Sequence, residues 1–241
     1  HPDRPRRAAA LAPAADGGPG NALTEALAAD PHLAPFLQPV ARSGDGTPAF
    51  LPGKDNGFDI EGLAVSQGLL YLGLRGPVLR GYAMILVLSP EDDGNGQLRL
   101  AALDGDGRRV RKLFVHLGGM GVRDLDFDGD DLLILAGPTM DLDGTQAVWR
   151  LHRPDRLAAD SVCEASADGT GPLCRLFDLP AGTGDRAEGL CRFDVPKERA
   201  VMVVYDQTGA ARHPPDEAGR PIAHRVYADL FRLPAPAPGS S

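Results

Sequence analysis

The sequence predicts an all-β, propeller-like fold, and three observations carry that prediction. A three-strand unit recurs three times: FDIEGLAV, LLYLGLRGP and GYAMILVLSP, then GVRDLDF, DLLILAGP and TQAVWRLHRP, then RAEGLCRF, RAVMVVYDQ and RVYADLFRLP. Its register is nearly fixed, because the anchor residues Leu63, Leu125 and Leu190 stand 62 (125 − 63) and 65 (190 − 125) positions apart. Within the units, short Leu, Val and Ile runs are punctuated by Asp-Gly, Asn-Gly and Gly-Pro pairs and show no helical period. A unit repeating in this way buries its faces by stacking radially on its copies.

The elements follow in chain order. Residues 1–20 mix Ala, Pro, Gly and Arg without periodicity and read as a flexible leader. Residues 21–49 form a helical extension: Asn21 is placed to cap a short helix with Leu23 and Leu27 on one face, closed by Asp30 and Pro31. The propeller-like β domain spans 50–234. Beyond the nine repeat strands, QLRLAAL (97–103), RKLFVHL (111–117) and CRLFDLP (174–180) are expected to complete the outer edges of the blades. The insertion RHPPDEAGRP, flanked by His213 and His224, is long enough to fold over one face as a lid, a plain surface loop being the other reading. Residues 235–241 read as a disordered tail. Three blades fall short of the roughly four to eight that close a propeller. The chain is therefore expected to be the C-terminal part of a longer or assembled propeller, with the missing blades before His1.

Composition narrows the function classes. No run approaches the roughly 18 apolar residues of a membrane span. A net charge of −8 opposes general nucleic-acid binding, which needs a basic field to neutralise phosphates. Cys163, Cys174 and Cys191 cannot all pair and show no CxxC spacing; Cys163 and Cys174 bracket a Gly-rich loop that a disulfide could close, but free thiols are expected. The histidines show neither HxH nor HExxH spacing. DLDFDGDD (124–131) has Leu135 where a calcium loop needs its twelfth-position Glu, and reads as a hairpin turn. No G-x-S-x-G elbow supports a serine nucleophile. The chain opens on His1 without a charged n-region or an apolar h-region, so it reads as processed or cut from something longer, and no compartment follows.

The repeat also nominates a site. In a propeller, equivalent positions of the innermost strands converge on a central funnel. The leucine anchors put Glu61, Arg123 and Glu188 in one ring, with Gly62, Asp124 and Gly189 beside it. Loops after the second strands add Arg75, Arg80, Asp141, Asp143 and Asp206, and the entering connections add Lys54, Asp55, Asn56, Asp59, Asp185 and Arg186. Three chemistries suit this set. Arginine forks at Arg75, Arg80 and Arg123, oriented by Glu61 and Glu188 and joined by Asp124 and Asp206, suit a small anionic ligand, a phosphate or carboxylate. Asp59, Glu61 and Glu188 suit calcium, an oxygen-only cation that would activate water in a phosphoesterase or lactonase. Mutual Glu–Arg pairing instead suits a scaffold for a protein partner, with a charge ring that only holds shape. The first is the reading adopted. An open funnel with unpaired guanidinium and carboxylate groups supports it, whereas mutual Glu–Arg pairing in a plugged channel supports the scaffold.

At KDNGFDIEGLAV (54–65) and GLRGPVLRGYA (73–83), then GVRDLDF and AEGLCRF through RVYADLFRL, the chain resembles a bacterial family catalogued as domain of unknown function 3616. The likeness runs from about Asn21 to Leu233. It implies a propeller-like β protein without an agreed activity, whose members extend further at the N-terminus with earlier E-G-L repeats. The E-G-L turn entering an inner strand is also similar to that of phytase-like esterase and lactonase propellers.

Overall fold

Each of the three repeats folds into its own antiparallel sheet, and the three sheets stack face to face. The structure, a computed structural model, describes residues 10–15, 20–42, 44–140, 144–166, 171–180, 185–196, 198–222 and 224–234. In chain order its strands are β1 (Ala10–Leu11), β2 (Ala41–Arg42), β3 (Pro48–Ala49), β4 (Asp59–Ser66), β5 (Leu69–Gly76), β6 (Ala83–Asp92), β7 (Gln97–Ala101), β8 (Val110–Val115), β9 (Gly121–Asp128), β10 (Asp131–Gly137), β11 (Ala147–Leu151), β12 (Ser161–Cys163), β13 (Leu173–Asp178), β14 (Arg186–Arg192), β15 (Ala200–Gln207) and β16 (Asp229–Arg232). The α-helix α1 (Ala22–Leu27) precedes the sheets. Sheet one runs β4-β5-β6-β8, with β12 parallel outside β8 and β7 and β1 beyond the far half of β6; sheet two runs β9-β10-β11-β13 and sheet three β14-β15-β16. The fold is all-β and propeller-like, with partial blades.

Burial explains why these sequences make these strands. Sheet two is covered on both sides, so all seven residues of β10 are buried and its sequence is an unbroken apolar run after Asp131. Leu132, Ile134 and Ala136 enter the core shared with Ala64, Tyr71, Ile85 and Leu113 of sheet one. Leu133 and Leu135, on the other face, pack with Ala187, Leu190, Val201 and Val203 of sheet three. β6 behaves alike: Ile85 and Val87 face sheet two, while Met84, Leu86 and Leu88 pack under Leu23, Leu27 and Leu33 of the N-terminal segment. Among the described residues sheet three is covered on one side only, and strand alternation returns, with Val203 buried and Val204 exposed.

The helix forms where the sequence places it. The Asn21 side chain accepts the backbone N–H groups of Leu23 and Thr24, and the Thr24 hydroxyl returns the favour to the Asn21 N–H, a complete capping box. Asp30 accepts the N–H groups of His32 and Leu33 and an ion pair from the buried Lys112 of β8, which fastens the extension to sheet one.

Two expectations need correction. Ala10 and Leu11 of the expected leader pair in parallel with β7, and Leu11 packs under the helix, so apolar contact orders part of that stretch. QLRLAAL does not close a blade edge: β7 pairs with the far half of the over-long β6, and β8 pairs with its near half. The face of sheet one away from sheet two carries α1. RKLFVHL and CRLFDLP do follow the third strands of sheets one and two outward, as β8 and β13, with β12 pairing in parallel beyond β8. The insertion after β15 is tied beside sheet three by Arg212, which pairs with Asp185 and Asp229 and lies over the Tyr205 ring. All three cysteines are free. Residues 1–9, 16–19 and 235–241 of the leader and tail lie outside the described residues.

Candidate functional site

In all three sheets the innermost strand breaks register at the same place. β4 advances two residues while β5 advances one, from Ile60↔Leu74 to Gly62↔Gly73, which leaves Glu61 as the extra residue of a β-bulge. The same step leaves Arg123 between Val122↔Ala136 and Asp124↔Leu135, and Glu188 between Ala187↔Tyr205 and Gly189↔Val204. On the second strands of sheets one and three the complementary step leaves Arg75 and Asp206 as the extra residues. A bulge kinks its strand and re-aims a side chain that the pleat would otherwise send to one face. Five charged side chains thereby converge on one pocket of about 580 Å³, whose lining Lys54 and Arg186 complete.

Convergence requires the inner strands to approach closely, and glycine permits it. A Cβ on Gly73 would lie 2.3 Å from Val122 Cγ1, and one on Gly121 would lie 2.0 Å from the Arg75 carbonyl oxygen. Gly62 stands beside the ring. Its φ is not positive; its role is spatial, since a Cβ there would press on Leu125 at 2.9 Å.

The charges alternate across the sheets. Arg75 donates from Nη1 to Glu61 Oε1 at 2.9 Å and from Nε to the Thr139 carbonyl at 3.0 Å. Arg123 Nη1 donates to Glu61 Oε2 at 3.0 Å and to both oxygens of Glu188 at 2.8 Å, and its Nη2 reaches the Pro138 carbonyl at 3.0 Å. Asp59 lies 3.8 Å from Arg75 Nη1. Both guanidinium groups are buried, whereas the Glu61 and Glu188 side chains keep 23% and 29% of their surface and form the wet side of the ring. Burial pushes the Glu188 carboxyl up from its ordinary value; Arg123 pulls it back and the neighbouring Glu61 charge adds to the rise.

Not every nominated residue reaches the pocket. Asp124 accepts the Leu125 N–H at 2.9 Å and, across the sheet boundary, the Leu190 N–H at 2.8 Å. Asp126 repeats the pattern on Phe127 and Arg192. These two carboxylates satisfy backbone donors on the free edge of β14, and burial raises the Asp124 carboxyl. Arg80 sits exposed in the turn between β5 and β6 and does not line the pocket. Asp141 and Asp143 lie outside the described residues. The reading of the sequence missed Gln146, whose amide both donates to the Ala187 carbonyl and accepts the Ala187 N–H at 3.1 Å, fixing the residue next to Glu188. Only the repeat phase of its neighbours could have signalled it.

The calcium set is not assembled. Asp59, Glu61 and Glu188 are each turned onto an arginine, and no group of three or more His, Cys, Asp or Glu among the described residues could hold a metal. No helix among the described residues is long and apolar enough to cross a membrane.

A family model described as Protein of unknown function (DUF3616) matches residues 1–220, and the chain belongs to that family. No curated protein and no solved structure matches the chain.

Proposed function

We propose that the bulge-lined funnel binds a small anionic ligand, a phosphate or a carboxylate. One observation carries this reading: in a chain of net charge −8, four cationic side chains, Lys54, Arg75, Arg123 and Arg186, share one pocket with three acidic ones. A concave site with low-dielectric walls concentrates such a field. Glu61 and Glu188 hold the two buried guanidinium groups in fixed orientation, so an incoming anion meets donors that are already ordered. The rival reading, a scaffold with a structural ring, is favoured by the pairing of Arg123 Nη1 with both glutamates.

A thermal-shift panel separates the two. The chain is screened against inorganic phosphate, sugar acids and divalent cations. The anion reading expects a rise in melting temperature with phosphate or a sugar acid, lost in Lys54→Met and Arg186→Met; a ligand at a hundred times its Kd adds about 2.7 kcal/mol. A panel in which no anion raises the melting temperature leaves the ring as structure.

A further inference from the structure

At the end of sheet two away from the funnel, three adjacent strands bring together a carboxylate, an imidazole and a thiol. Leu132↔Leu151 pairing sets Asp131, the first residue of β10, opposite His152, and Leu151↔Leu173 with Arg150↔Cys174 sets Cys174 on the next strand outward. His152 Nδ1 lies 3.1 Å from Asp131 Oδ2, and His152 Nε2 lies 3.8 Å from Cys174 Sγ. The other Asp131 oxygen accepts the Arg153 N–H at 3.2 Å, and the His152 N–H is held by the Pro172 carbonyl at 2.7 Å. A carboxylate acceptor at Nδ1 places the ring proton there, so Nε2 presents its lone pair to the thiol. Cys174 and His152 are partly exposed and Asp131 is buried, so the pair can be approached while its anchor is held.

We propose that Cys174, His152 and Asp131 form a nucleophilic thiol site for an activated ester or thioester, with Cys174 as nucleophile, His152 as general base and Asp131 as the positioning residue. The site lies apart from the funnel, and the inference does not rest on the anion reading. The carboxylate–imidazole–nucleophile order is the arrangement by which a weak nucleophile is activated. The protonated imidazole can return its proton to the leaving group, and an activated ester or thioester, whose alcohol or thiol leaves readily, asks least of that acid. In the step, Sγ attacks the carbonyl carbon and a C–S bond forms as the thiol proton passes to His152 Nε2. The bond from carbon to the leaving group then breaks, and the leaving group departs with the proton from Nε2. The products are an acyl-Cys174 thioester and a free alcohol or thiol.

The surroundings explain why a base is needed. Burial holds the Cys174 thiol above its ordinary value; the Arg150 charge lowers it and the Asp131 charge raises it. Arg150, from β11, lies 3.9 Å from Asp131 and pairs with Asp128 of β9 at 2.9 Å; Arg192 and Arg199 of sheet three meet the same Asp128. Arg153 is turned onto Asp130 and Asp155. At rest the Cys174 thiol thus keeps its proton, and a neighbouring base is what frees the thiolate.

The test uses p-nitrophenyl acetate on the full chain, with the acetylated cysteine identified by peptide mass spectrometry. One acetyl group per chain is expected on Cys174, none in Cys174→Ala, and acylation slowed about 100-fold or more in His152→Ala. The rate should depend on pH in a way that disappears in His152→Ala and changes in Asp131→Asn. Burial pushes the Cys163 thiol up to about 11, so its protection from iodoacetamide reports that each variant is folded. Should His152→Ala expose Cys163, His152→Asn supplies the same comparison. Acetylation of Cys191 in place of Cys174, or undiminished acylation in a folded His152 variant, overturns the proposal.

Discussion

At the scale of single residues, the ring turns on how far Arg123 compensates the carboxylates it holds. The folded-state value of Glu188 is raised, by burial first, with the Glu61 charge adding to it. The sign follows from proton linkage: a raised carboxyl binds its proton more tightly in the folded chain, so its stabilisation is full below the ordinary carboxylate range and is lost as pH rises through the raised value. Glu188→Gln, which mimics the protonated form, is therefore expected to be at least as stable as the native chain at neutral pH, with the two converging in acid. Urea unfolding at a series of pH values measures this, and a neutral-pH loss that disappears in acid would show that ion pairing outweighs burial. The ring itself was legible, because Glu61, Arg123 and Glu188 keep the 62- and 65-residue steps of the repeat. Asp124 was misjudged by adjacency: its carboxylate faces the backbone of the next sheet, and the sequence carries no mark of a donor left open 66 residues away. The Cys174–His152–Asp131 cluster was hidden for a similar reason, since it depends on strand register across three strands and on no short motif.

Among the elements, the inner strands carry two devices that oppose ordinary strand behaviour, a bulge and a run of close glycine contacts. They depend on one another. The bulges aim charges at a common point, and the glycines let the strand backbones approach until those charges meet. Gly121 is the more demanding position, because its added Cβ would meet the Arg75 backbone at 2.0 Å, whereas at Gly62 the nearest atom is the Leu125 side chain at 2.9 Å. A side chain can shift; a backbone carbonyl in a buried sheet cannot. Gly121→Ala is expected to lose about 3 kcal/mol or more and Gly62→Ala about 1 kcal/mol, read from chemical-denaturation midpoints, and the reverse order would contradict the packing argument. The strands were predictable from apolar runs and turn pairs. The bulges were not, because an extra residue leaves the apolar pattern on either side intact. β1 escaped prediction since two residues in an Ala/Pro-rich stretch have no period to read.

Across the whole molecule, three copies of one unit stack so that the middle sheet is buried on both faces and the flanking sheets complete two cores. The architecture was readable because radial stacking leaves its period in the sequence. What covers the outer faces was not: α1 occupies one side of sheet one, and nothing in the repeat specifies that. The ring depends on the three inner strands delivering distant charges to one place, so that Glu61 and Glu188 share Arg123. A double-mutant cycle on Glu61→Gln and Glu188→Gln tests this directly. With either glutamate left, Arg123 keeps a carboxylate; with both gone, the buried Arg123 loses both partners and Arg75 is left with Asp59 at 3.8 Å. The double variant is expected to lose about 1 kcal/mol more than the sum of the single changes. Additivity within about 0.3 kcal/mol would mean that the two glutamates do not meet, and would contradict the shared ring.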